Sequence, residues 1–150
     1  MKTLLKNIIL FIIFGTIYFG IECIWKGHLT HWSMFVLAGM IGLLIGGINE
    51  CIPWEMPFQY QCGIGMIIAT LGEGITGLIV NKLFNLNVWH YNILPFFWGQ
   101  CSVPFMCAWF LLAGVCIIID DLIRWKWFGE EKPKYYFKGG NGYGNNKMLI

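Results

Sequence analysis

Long apolar runs, broken by short polar or proline-containing stretches, set the pattern of this chain. The first run follows Lys2 and Lys6 and is dense in Ile, Leu and Phe from Ile8 to Phe14. It predicts a helix over about residues 4–25, long enough for the roughly 30 Å hydrocarbon core of a bilayer. A basic start before an apolar run resembles a secretory signal, but no small-residue cleavage motif follows, so the helix is expected to stay uncleaved. The short link at residues 26–31 forces a second, antiparallel helix over about residues 32–48. Ala38, Gly42 and Gly46 recur in it at four-residue spacing, which lets helix backbones approach closely in lipid. Pro53 and Pro57 then break the helical pattern, and a third helix runs to about residue 84.

Residues 85–92 are polar and aromatic and read as an exposed loop. Residues 93–98 are apolar but too short to cross, and read as a re-entrant or interfacial turn. A fourth helix is expected over about residues 99–119, with Pro104 in its first turn or at a kink. The pattern therefore predicts an all-α membrane protein. Its architecture is an antiparallel bundle of four transmembrane helices over residues 1–128, then a flexible cytoplasmic tail over residues 129–150.

The third run carries one carboxylate, Glu73, far from either end. A charge at that depth costs at least about 2.5 kcal/mol, so it should face protein or water rather than lipid. Met66, Ala69, Thr70, Thr76 and Gly77 lie three, four or seven residues from it and form a mostly small or hydroxylated seam. The opposite face, with Ile64, Ile67, Ile68, Leu71, Ile75 and Leu78, is apolar. Glu73, Thr70, Thr76, Gln100 and Glu22 are the polar groups available for an intramembrane site.

Composition agrees with this pattern. Charged residues make up 12% of the chain and hydrophobic ones 57%, with 17% aromatic, about half the charge of a soluble domain. The net charge of +2 makes no case for nucleic-acid binding. The six cysteines form no CxxC pair and read as small apolar packing residues. Cys23 and Cys101 would lie at similar depth near the outer surface, which leaves a disulfide between them open. His28 and His31 have no acid or cysteine placed beside them, so no metal site is expected, and no cofactor motif is present.

The charges also orient the chain. Lys2 and Lys6 flank one end of the helical region; Arg124, Lys126, Lys132, Lys134 and Lys138 flank the other. Four crossings put both on one side, which the positive-inside rule makes cytoplasmic, with Lys26 and Lys82 as exceptions. Residues 53–57 are then inside, His90 and Gln100 outside, and Glu22 and Glu73 in the outer half. Glu22 precedes Lys26, and Asp120 precedes Arg124, by four residues, so each pair can bridge along its helix. Trp54 suits an interfacial anchor, with Glu50 and Glu55 beside it solvated or at the headgroups.

Several short pieces, in order and spacing, carry a family resemblance. They include Tyr18-Phe19-Gly20 with Glu22 and Trp25, Asn49-Glu50, Pro53-Trp54-Glu55-Met56-Pro57-Phe58, and Thr76-Gly77 with Asn81. Further on come Val88-Trp89-His90-Tyr91, Gly99-Gln100-Cys101 with Pro104 and Trp109, and Asp120-Asp121 with Arg124-Trp125, then Phe128-Gly129-Glu130-Glu131. On these the chain resembles the small bacterial membrane proteins called type IV ABC-transporter permeases. It departs at Asp and Ser, which relatives carry where this chain has His90 and Asn92, and at an aromatic residue where it has Gly74.

The resemblance implies a permease-like subunit of the bacterial cell membrane, multi-pass, energised by a separate ATPase. It brings no substrate, catalytic residue or reaction with it. The chain lacks a phosphate-binding G-x-x-x-x-G-K-[ST] loop, so the ATPase would dock on the inner loop, residues 49–59, at Glu50, Trp54 and Glu55. Four helices are few for a pathway, which points to a homo-oligomer. A scaffold or regulatory subunit without transport activity is the alternative. With no HExxH and no G-x-S-x-G, the chain is not expected to be an enzyme.

Overall fold

The computed structural model describes residues 2–138 and 146–149. Three helical segments are long and apolar enough to cross a membrane: Thr3–Lys26, Phe58–Leu83 and Val103–Phe128. The first lies in α1 (Lys2–Lys26). A second helix, α2 (Trp32–Gly46), has only 15 residues, about 22 Å at 1.5 Å per residue. It stops short of the expected residue 48 at Gly46-Gly47, and the chain resumes as the single turn α3 (Ile48–Cys51). The third segment is α4 (Phe58–Gly77), which widens into a π-helical turn over Leu78–Leu83.

The last helix differs most from expectation. It is α5 (Val103–Phe128), starting later than residue 99 and running well past residue 119. Pro104 sits in its first turn, where a missing N–H costs nothing. The acidic pair Asp120-Asp121 continues the helix because Arg124, one turn on, bridges back to Asp120. Gly129 ends it in the left-handed region at φ 69°, which glycine adopts without penalty. The short turn before it is a small hairpin, β1 (Pro95–Phe96) paired antiparallel with β2 (Cys101–Ser102).

The tail is not free in its described part. Strand β3 (Tyr135–Lys138) pairs antiparallel with β4 (Asn146–Leu149), and Tyr135 is buried with its ring 5.0 Å from that of Phe58. The glycine- and asparagine-rich stretch expected to be flexible, residues 139–145, lies outside the described residues.

The core joins α2, α4 and α5 through Met34, Ile41, Ile45, Cys62, Ala69, Ala113 and Ile117. Helix α1 leans mainly on α2. Contact there is close: a Cβ on Gly42 would run into the Phe14 side chain. At Gly46 a Cβ would strike the Asp120 carboxyl group at 2.5 Å, so the small-residue seam of α2 admits both neighbours. Ile8, Ile12, Ile17 and Ile21 of α1, and Ile67, Leu71 and Ile75 of α4, stay exposed, as lipid-facing residues would. Lys6 pairs with Glu130 at one end of the molecule; at the other, Lys26 Nζ donates to the Val88 carbonyl at 3.4 Å.

Candidate functional site

Glu73 is 2% exposed, on the small-residue seam of α4. Tyr91 donates its hydroxyl to Glu73 Oε1 at 2.6 Å, and the Trp109 indole N–H donates to Oε2 at 3.1 Å. Each oxygen thus has one neutral donor, and no described cation pairs with the carboxylate. Tyr91 reaches it because residues 88–91 turn inward: Val88 and Trp89 are half-buried, and the Tyr91 ring packs on Phe105 at 4.6 Å. That corrects the expectation of a wholly exposed loop. Burial, and then the charge of Glu73, push the Tyr91 hydroxyl above the ordinary tyrosine range, so it stays protonated and donating.

Helix α1 completes the site. Tyr18 stacks on Trp109 with ring centres 5.4 Å apart and planes 22° from parallel. Glu22, one turn further along, pairs with Lys26 through Oε1 at 2.8 Å, the expected bridge. Its Oε2 is buried without a partner.

The other expected polar residues divide. Thr70 is buried beside the site; its carbonyl accepts from Cys101 Sγ at 3.4 Å, while its hydroxyl has no partner. Thr76 is only half-buried and bonds to none of these groups. Gln100 is buried but belongs to a different network. Its Oε1 accepts from Asn81 Nδ2 at 2.6 Å, its Nε2 donates to the Trp98 carbonyl at 3.3 Å, and its own carbonyl accepts from Trp89 Nε1 at 3.1 Å. Asn81 also donates to the Trp89 carbonyl at 3.0 Å and accepts the Val88 N–H at 2.6 Å. Those bonds fasten the loop that delivers Tyr91, so Gln100 and Asn81 position the site without touching Glu73.

Cys23 and Cys101 are free thiols, which closes the disulfide left open above. Burial, with the charge of Glu73 behind it, pushes the Cys101 thiol up to about 12, so it is no thiolate nucleophile. Among the described residues, no group of three or more His, Cys, Asp or Glu is arranged to hold a metal.

No family model, curated protein or solved structure matches the chain.

A second polar cluster lies at the opposite end. Asp120, Asp121 and Arg124 are all buried. The Arg124 guanidinium pairs with Asp120 and lies 3.7 Å from Glu50 and 3.8 Å from Glu130. Asp121 Oδ2 accepts from Asn49 Nδ2 at 2.7 Å and from the Tyr135 hydroxyl at 2.8 Å. Burial first, then the charge of Asp121, raise the Tyr135 hydroxyl above the ordinary tyrosine range. In the expected partner loop, Glu50 and Glu55 are exposed but Trp54 is half-buried, its ring 6.3 Å from Tyr135. Strand β3 therefore covers part of the surface assigned to a partner.

Sequence reasoning named neither Tyr91 nor Trp109 as partners of Glu73, nor Asn81 as their support. All three lie in the pieces that carry the family resemblance. An amide near the end of an apolar run, as at Asn81, is the one local signal available.

Proposed function

We propose that the chain is a permease-like subunit of a transporter, four-pass in the bacterial cell membrane with both termini cytoplasmic, energised by a separate ATPase. The observation that carries this reading is Glu73: a carboxylate within a span-length apolar segment, held by two neutral donors and answered by no described cation. Ionisable groups in that setting mark ion, proton or substrate pathways. The topology is supported by Lys6 meeting Glu130, which brings the basic flanks of the first and last helices together. Phe11 of α1 lies against Gly39 while Gly15, one turn on, meets Phe35, so these contacts run in opposite directions along the two helices, as suits antiparallel neighbours. The short α2 crosses where the bilayer thins or the helix ends snorkel. ATP hydrolysis comes from a partner on the inner face, and the pathway is completed in a homo-oligomer.

A second reading, a scaffold or regulatory subunit, is favoured by one observation. Both Glu73 oxygens are engaged, and they tie α4, the 85–92 loop and α5 into one unit. Pull-down of the tagged chain from mild detergent separates the two: a stoichiometric ATPase supports the permease. No ATPase, together with wild-type behaviour of Glu73→Gln in a growth or flux assay, supports the scaffold.

A further inference from the structure

A fissure of about 100 Å³ runs between α1 and α5 over a floor formed by α2. Phe14 and Tyr18 wall it on one side, Trp109 and Leu112 on the other, and the small Ala38 and Gly42 give it depth. Helix α1 rests on α2 rather than α5, so the fissure opens sideways, past the exposed Ile17 and Val115. Its lining is almost wholly apolar, but its surroundings are not electrically neutral. The Trp109 indole that walls it donates its N–H to Glu73, which makes the ring face more negative and a better seat for a cation. Tyr18 stacks beside that indole. One turn beyond Tyr18 is Glu22, with a buried, unpartnered Oε2. Two carboxylates, Glu22 and Glu73, thus stand against one ammonium, Lys26. A neutral acyl chain would match the apolar walls and leave the excess negative charge unanswered.

We propose that this fissure is a lateral binding site for lipophilic cations, which enter from the bilayer between α1 and α5. The apolar body fills the space beside Phe14 and Leu112, and the positive charge lies over Tyr18 and Trp109, within the field of Glu73 and Glu22. This rests on the permease reading and names its substrate class.

The test is equilibrium binding of tritiated benzyltrimethylammonium, whose single ring and exposed cationic head match the fissure, to the purified full-length chain in detergent, with uncharged neopentylbenzene as competitor. Saturable binding is expected, displaced by unlabelled cation and not by the neutral compound. Glu73→Gln weakens it at least tenfold, Glu73→Asp retains it, and Leu112→Trp, which fills the fissure from its exposed side, abolishes it. Absence of saturable binding, equal competition by the neutral compound, or unchanged binding by Leu112→Trp overturns the proposal. So does unchanged binding by a folded Glu73→Gln; should that variant not fold, the neutral competitor on the wild-type chain still decides. A co-purifying ATPase without cation binding overturns this proposal alone, and cation binding without an ATPase overturns only the energising partner.

Discussion

The buried acids Asp120 and Glu73 are built on opposite plans. At one end of the molecule Asp120 is answered by the Arg124 guanidinium, beside an Asp121 held by an amide and a phenol drawn from two other segments. At the other end Glu73 has only a phenol and an indole, with no cation among the described residues. An acid compensated by charge is a fastener, because breaking the pair strands a charge in low dielectric. An acid held by neutral donors alone keeps its affinity for a cation or proton. The first plan suits assembly and the second suits function, and single substitutions should tell them apart.

The largest effect is expected at the Asp120–Arg124 cluster. Arg124→Leu leaves Asp120 buried and unpaired, at a cost of about 3–5 kcal/mol. The folded protein should be nearly lost, as read by size-exclusion profile and thermal unfolding in detergent. Next is Glu73→Leu, which orphans the Tyr91 hydroxyl and the Trp109 N–H at about 1–3 kcal/mol each. Glu73→Gln should cost about 1 kcal/mol, because one amide oxygen still accepts, yet abolish flux if ionisation matters. A Gln variant as active as wild type would turn Glu73 into a second fastener and erase the contrast.

A smaller loss is expected from Tyr135→Phe, which removes one of two bonds to Asp121 Oδ2. About 1.5–3 kcal/mol is typical for a bond to a charged group, visible as faster proteolysis after Gly129. Because the folded Tyr135 hydroxyl is raised above its ordinary value, its contribution is complete below about pH 10 and lost as pH rises beyond that. The Phe variant should lack this component of the alkaline melt. Least is expected of Glu50→Gln, whose carboxylate is half-exposed and 3.7 Å from Arg124; a change above about 1 kcal/mol would be out of scale for such a pair.

What could be read from the sequence was local. The Glu22–Lys26 and Asp120–Arg124 bridges are relations of four residues within one helix, and Pro104 has few places to go except a first turn. The burial of Glu73 follows from its depth in an apolar run. Its partners do not, because Tyr91 and Trp109 are 18 and 36 residues away and no helical period points to them. Asn49 meets Asp121 across 72 residues for the same reason. In the described part of the tail, Tyr135 and Phe137 seat β3 against Phe58, a contact that a polar, lysine-bearing composition did not announce. Gly46, where α2 ends, packs directly against Asp120, a contact invisible from either segment alone.

The π-helical turn at Leu78–Leu83 carries a consequence for inheritance of the chain's register. Phe84 N–H reaches back five residues to Ile79, so this turn holds one residue more than an ordinary α-turn would need. That surplus swings Asn81 round toward Gln100 and the strand-like stretch beyond it. Deleting any single residue here would tidy the helix while rotating its end by about 100°, and the lid that brings a phenol down onto the buried acid would lose its hinge pin.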